Sequence, residues 1–375
     1  MSQKTEDREM LEVIVRRNER SNFEQIDVGG KIMTVLHKGY AERYPFDIEK
    51  FVQDIEASCE GGFIAEVTRY GIERIRELDL GRQYYDLLNS WLQQYSDIFS
   101  YSARVELFYD VCKELGLIGD YPFWFDEPGD TDGADGVRYM ELFNVLIEQI
   151  RVRCQSREFK ERERLRKKNA ERNMRNVLAM EEAMFEAKSR WLILSLTLAY
   201  KPEFRGEITP ETIQEHRDRF FAARRCNKLM SGVRNYVWTI EQGEQTGLHL
   251  HVILFYSPDS NHDEFIARQI GEYWVDVVTG GRGDYWNSND GRLKRKYEKR
   301  GHGIGVGQIN RGDGKRKALQ KNLTYLAKAQ QYVMIRGAER IRTFDMGRVP
   351  QKVKSGRPRA DSGMRPSGID GVAAG

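Results

Sequence analysis

Histidine, cysteine and proline are all scarce in this chain, at 6, 4 and 9 of its 375 residues. Cys59, Cys112, Cys154 and Cys226 lie far apart with no Cys-x-x-Cys pair, which argues against a thiolate zinc site or a disulfide framework and predicts free thiols in a reducing compartment. No apolar run approaches 18 residues and no signal-peptide pattern is present, so neither membrane insertion nor export is expected. There is no internal repeat, and no Gly-x-x-x-x-Gly-Lys-Ser/Thr loop to cradle a nucleotide's phosphates. A large overall charge excess is missing too: 60 Lys and Arg face 57 Asp and Glu, a net +3.

That balance conceals two halves of opposite sign. Residues 1–150 hold 16 Lys and Arg against 30 Asp and Glu, net −14, whereas residues 151–375 hold 44 against 27, net +17. A basic half is the electrostatic footprint of a nucleic-acid binder, whose affinity comes largely from neutralised phosphates. An acidic half can equally dock on the basic half of its own chain and compete with such a ligand.

The charge shift also marks domain boundaries. Residues 1–150 read as an acidic, mainly α-helical domain, with Tyr84, Leu87, Leu88, Trp91, Leu92, Tyr95 and Ile98 at helical spacing as core candidates. Asp130 to Asp135 with Glu141 superficially suggests a calcium loop, but Ala134 stands at a ligand position and Asp135 where glycine is required. Residues 151–188 read as a charged linker helix, polar nearly all round over Ser156–Lys168, where Arg164, Arg166, Lys167 and Lys168 are candidate contacts to a DNA backbone. Residues 346–375, with Lys352, Lys354, Arg357, Arg359 and Arg365 among Gly, Ser and Pro, read as a flexible basic tail.

Two of the few histidines stand one residue apart, His249 and His251, in a run from Gly247 to Tyr256 that otherwise reads as a buried strand. Side chains alternate along a strand, so both imidazoles point to one face, about 7 Å apart along the backbone, and can close on one metal ion. The preceding strand-like run, Asn235 to Glu241, is joined to it by a Gly-flanked turn, and folding the hairpin brings Glu241 beside the pair. One carboxylate and two imidazoles with open positions describe a catalytic metal site better than a closed structural one. Downstream, a helical segment from Lys315 to Ile335 places Tyr325, Lys328 and Tyr332 on one face and carries the further cations Lys315, Lys317 and Lys321. Strand 192–198, helix 210–230, strands 234–241 and 247–256, helix 262–278, strand 304–310 and this helix give the order β-α-β-β-α-β. That order predicts an α+β fold of the split-βαβ, ferredoxin-like kind, an antiparallel sheet with helices on one face.

Glu241, seven intervening residues, His249-Leu250-His251 and Tyr325-x-x-Lys328 together resemble the HUH endonuclease superfamily of rolling-circle replication initiators. Trp191 to Leu198, an apolar strand ending in Thr-Leu, resembles that superfamily's first motif, and the pattern is most similar to inovirus-type phage and prophage replication proteins. The resemblance spans roughly residues 189–345 and leaves the first 150 without an assigned role. It implies Mg²⁺ or Mn²⁺ on Glu241, His249 and His251, and Tyr325 as the nucleophile that nicks single-stranded origin DNA through a covalent 5′-phosphotyrosine. Lys328 either lowers the phenol's pKa or contacts the phosphate; Tyr332 is a second nucleophile or a packing and stacking residue. A host helicase and polymerase are implied partners, and the cytoplasm of a bacterial host is the implied location. A single-tyrosine transposase or a relaxase shares this chemistry, although relaxases generally place the tyrosine before the histidines. A non-enzymatic DNA-binding regulator would keep the basic half without needing all four site residues, and a His-x-His metallohydrolase of the barrel type would need further patterned histidines.

Overall fold

A computed structural model describes residues 23–29, 31–36, 44–120, 123–131, 136–243, 246–299, 304–328, 333–335 and 341–350. Residues 132–135 of the calcium-loop candidate, Tyr332, and 351–375 of the tail lie outside the described residues. The chain is a mixed α+β protein with an antiparallel sheet. Among the described residues no helix is long and apolar enough to cross a membrane.

The acidic half opens with a hairpin, β1 (Phe23–Val28) and β2 (Lys31–Leu36), followed by α1 (Tyr44–Ala57). A second hairpin, β3 (Phe63–Val67) and β4 (Glu73–Glu77), precedes the short helices α2 (Asp79–Tyr84) and α3 (Leu88–Gln93) and strand β5 (Phe99–Tyr101). Helices α4 (Ala103–Glu114) and α5 (Tyr139–Cys154) complete it. Aromatic side chains fill its core: Phe51 packs against Trp91, Phe108 and Phe143. Of the core candidates in Leu80–Phe99, Tyr84, Leu88, Trp91 and Leu92 are buried, whereas Leu87 and Ile98 are exposed, because two short helices and a strand replace one continuous helix.

The charged linker is a 31-residue helix, α6 (Arg157–Ala187), with Ser156 capping its start through the Phe159 amide. Its first half is mostly solvated, with Phe159 alone buried in the core of the acidic half. Val177, Met180, Met184 and Phe185 recur at i, i+3, i+7 and i+8 and are buried, so the second half is part of the core. The two charged halves meet along the first: Arg104 bonds Glu49, Glu56 and Glu163, and Arg166 bonds Glu49 and Glu163. Arg166, a candidate DNA contact, is thus engaged inside the protein.

Beyond α6, the sheet is built from β6 (Arg190–Tyr200), β7 (Val233–Gly243), β8 (Gly247–Tyr256), β9 (Gly283–Asn287) and β10 (Gly307–Asn310). The order is β10-β6-β8-β7, with every neighbouring pair antiparallel. Strand β11 (Val333–Ile335) leaves this sheet to pair with β5, and β12 (Phe344–Met346) extends it beyond β7. Strand β9 takes the second half of the β6 edge whose first half is taken by β10. Neither β9 nor the helix after it was expected from the sequence.

Helices cover both faces, not one. The even-numbered residues Leu192, Leu194, Leu196 and Leu198 pack with α7 (Pro210–Ala222) and α8 (Asp263–Tyr273). The odd-numbered Trp191 and Ile193 pack, with Val237, Ile253 and Phe255, under α6 and the tyrosine-bearing helix α10 (Lys315–Lys328). Helix α9 (Gly291–Lys299) lies between β9 and β10 in the chain. The buried Glu181 of α6 accepts from Arg316 and Gln320 of α10, pinning the two helices together. Helix α10 is shorter than the expected Lys315–Ile335, since Val333–Ile335 is a strand; a three-residue apolar run satisfies either period. Helix α7 stops at Ala222, well before 230.

The two halves of α6 predict opposite responses to truncation. Phe185→Ala should lower the unfolding free energy by about 3–5 kcal/mol, and Leu165→Ala, on the solvated half, by under about 0.5 kcal/mol. Urea denaturation of both variants checks this.

Candidate functional site

The sheet's register assembles the site. Glu241 of β7 is directly opposite His249 of β8, and His251 stands opposite Thr239 on one side and Thr197 of β6 on the other. All are odd-numbered positions on the face beneath α6 and α10. Gly243 of β7 pairs with Gly247 at the start of β8, and Gly247 adopts φ of +62°, a left-handed conformation that glycine enters without a Cβ penalty. A Cβ there would also press to 3.2 Å from the Arg205 side chain.

Glu241, His249 and His251 each offer one ligand atom within 4.8 Å of the others, and the group could hold a metal ion. The imidazoles are edge-to-face, with ring centroids 4.9 Å apart and planes at 88°. His251 Nε2 lies 3.3 Å from Glu241 Oε2. His249 donates through Nδ1 to the Gly247 carbonyl at 3.0 Å, which leaves its Nε2 as a bare lone pair; that atom is buried and has no hydrogen-bond partner. His251 Nδ1 is 2.9 Å from the Thr197 hydroxyl, which in the same way holds the ring with Nε2 directed at the carboxylate. Two oriented imidazole nitrogens and one carboxylate oxygen suit a divalent cation, and the buried lone pair of His249 is the feature that such an ion would satisfy.

Tyr325 enters the same cluster from α10. Its hydroxyl donates to Glu241 at 3.4 Å to Oε2 and 3.5 Å to Oε1, near the long limit of a hydrogen bond. All four side chains are nearly closed to solvent: Tyr325 is 2 % exposed, His249 and His251 1 %, and Glu241 6 %. Burial, together with the neighbouring His251, pushes the His249 imidazole down to about 4, so the ring is neutral at physiological pH and ready to ligate.

The four residues expected to share a site are therefore together. Lys328 is half-buried, one turn beyond Tyr325 at the end of α10. Lys315, Lys317 and Lys321 are exposed on α10 and do not enter the cluster. Arg164, Lys167 and Lys168 are exposed on the first half of α6, with Arg164 held by Glu161. Lys168 precedes Val177, which is buried against the sheet, by nine residues, about 13 Å along the helix axis. His216 is on the opposite face, bonded to Tyr200, and takes no part. Sequence reasoning missed the orienting role of Thr197 and of the Gly247 carbonyl. The parity of Thr197 on its strand was a usable signal, but its neighbour across the sheet was not.

The depressed His249 pKa sets a sign for stability against pH in metal-free protein. Between pH 6.5 and 4 the unfolded chain binds a proton that the folded chain refuses, so stability is lost as pH falls through that window, by up to about 3 kcal/mol. Denaturation in EDTA across this range should show that loss in the wild type and a flatter limb in His249→Gln. With Mn²⁺ present, calorimetric binding should be seen for the wild type and be lost in His249→Ala and in Glu241→Ala. No protein-family model, curated protein or solved structure matches the chain.

Proposed function

We propose that this chain is a metal-dependent single-strand DNA endonuclease of the HUH type that initiates rolling-circle replication. The observation that carries the reading is the meeting of Tyr325 with Glu241, His249 and His251 in one cluster, a helix 84 residues from Glu241 bringing its tyrosine to a single hairpin. The sheet order β10-β6-β8-β7 supports it, because strands numbered 1 to 4 by the order β6, β7, β8, β10 run 4-1-3-2, the ferredoxin-like arrangement of a βαββαβ unit. The net +17 of residues 151–375 supports a nucleic-acid substrate.

When bound, Mg²⁺ or Mn²⁺ supplies charge neutralisation at the scissile phosphate. Imidazole ligands favour Mn²⁺ of the two. The chain's own residues do the rest. Thr197 and the Gly247 carbonyl fix the imidazoles, and Glu241 both completes the ligand set and holds the Tyr325 hydroxyl. The Tyr325 oxygen attacks phosphorus as the phenol proton passes to the Glu241 carboxylate to which it already donates, and the bond from phosphorus to the 3′ oxygen breaks. That oxygen takes up a proton and leaves as a free 3′-OH, while the 5′-phosphate stays on the tyrosine. Lys328, one turn along the same helix, serves in this reading either to lower the phenol's pKa or to offer charge to the phosphate. The 3′-OH primes a polymerase, and the phosphotyrosine conserves the bond for rejoining. Origin DNA, a host helicase and a host polymerase are the partners this requires.

The near-complete burial of the cluster favours a second reading, a DNA-binding regulator whose metal site is structural. One experiment separates them. Labelled single-stranded origin DNA with Mn²⁺ should give a covalent adduct on a denaturing gel, lost in Tyr325→Phe and in EDTA. DNA binding without any adduct in either protein would establish the regulator instead.

A further inference from the structure

Helix α9 is a cationic element that the site chemistry does not use. Between Gly291 and Lys299 it carries Arg292, Lys294, Arg295, Lys296 and Lys299 against one acid, Glu298. Arg292, Arg295, Lys296 and Lys299 fall at i, i+3, i+4 and i+7, within a single arc of about 100°. All four are exposed, Arg292 to 80 %. Opposite that arc, Leu293 packs on Ala199 and Trp286, and Lys294 bonds Asp263 at 2.5 Å. Arg292 touches Asp290 at 3.4 Å, and Arg295, Lys296 and Lys299 make no ion pair among the described residues. Four like charges on one face repel one another and weaken the helix, so the stripe is unexplained by stability.

The helix is nevertheless anchored with care, and close to the metal cluster. Where β9 leaves the edge of β6 and β10 has not yet begun, the wholly buried Asn289 fills the gap: its Oδ1 accepts from the Ser195 amide, and its Nδ2 donates to the Ile193 carbonyl and to Asp263. Gly307, at φ of +84°, starts β10 against the same Asp263, 3.1 Å from where a Cβ would be. Trp286, on which Leu293 rests, is the cross-strand partner of Thr197, and Thr197 bonds His251. Strand β9 is two strand spacings from β8, about 10 Å from the histidine strand.

We propose that the outward face of α9, Arg292, Arg295, Lys296 and Lys299, is a docking surface for the phosphate backbone of the single strand that leads into the Tyr325 cluster. This rests on the DNA-nicking reading and adds to it a binding surface separate from the metal ligands and the nucleophile. A regular cationic arc with few internal partners matches a polyanion of repeating charge, and its position beside the cluster matches the substrate strand. A phosphate-tracking surface acts by counterion release, so its signature is the dependence of affinity on salt.

The test is fluorescence anisotropy of a labelled single-stranded oligonucleotide in EDTA over a salt series, using full-length protein. A variant combining Arg292→Gln, Arg295→Gln, Lys296→Gln and Lys299→Gln should reduce the magnitude of the slope of log affinity against log salt by about 3. The charge-preserving pair Arg292→Lys and Arg295→Lys should keep the wild-type slope. A quadruple variant with wild-type circular dichroism and an unchanged slope overturns the surface, while the Tyr325 adduct, scored separately on a gel, can still uphold the nicking reading. A wild type that shows no salt-dependent DNA binding overturns both.

Discussion

Everything at the site depends on the register between β7 and β8. Glu241 meets His249, and His251 follows on the same face, because the strands are paired with Gly243 opposite Gly247 and hence Glu241 opposite His249. Strand side chains alternate, so a slip of one residue would send the imidazoles to the leucine-lined face beneath α7 and α8 and leave no ligand set. The apolar residues that share the strands enforce the same register. Leu250, Val252 and Leu254 must face one core while Ile253 and Phe255 face the other. Core packing and the placement of the candidate ligands are thus specified by one pattern.

Burying that pattern has an electrostatic consequence. Burial in an apolar face, with a second imidazole beside it, makes His249 resist protonation and leaves its nitrogen lone pair unsatisfied. A cation resolves the unsatisfied nitrogen and the carboxylate together. The tyrosine is delivered to this pocket by a helix that is itself pinned, through Arg316 and Glu181, to the second half of α6. Through the first half of α6, and through the pairing of β11 with β5, the acidic half of the chain is mechanically connected to the tyrosine helix. The two halves meet along α6 at the ion pairs of Arg104 with Glu163 and of Arg166 with Glu49.

Legibility followed the strength of local periodicity. The hairpin could be read because two long alternating runs flank a glycine turn, and the site followed from it. Tyr325 was joined to the site only by the resemblance that Tyr325-x-x-Lys328 carries, since nothing in the local order of residues shows that α10 lies over β7. The buried half of α6 was legible in Val177, Met180, Met184 and Phe185, but the charge-rich residues before them dominate the segment. Strand β9 is five residues long, and among the described residues α9 packs through one apolar side chain, Leu293, so neither offers a period to detect. The two-faced helix cover escaped notice because β6 is apolar at nearly every position, which is itself the mark of a strand buried on both sides.

The most direct test of the nucleophile is peptide mapping of the covalent complex after nuclease trimming. Trypsin cuts after Lys321 and Lys328, so Tyr325 is released on Asn322–Lys328 and Tyr332 on the peptide that follows. Nucleotide mass is expected on Asn322–Lys328 alone, in Mn²⁺ and not in EDTA. Nucleotide mass on the Tyr332 peptide would contradict that expectation.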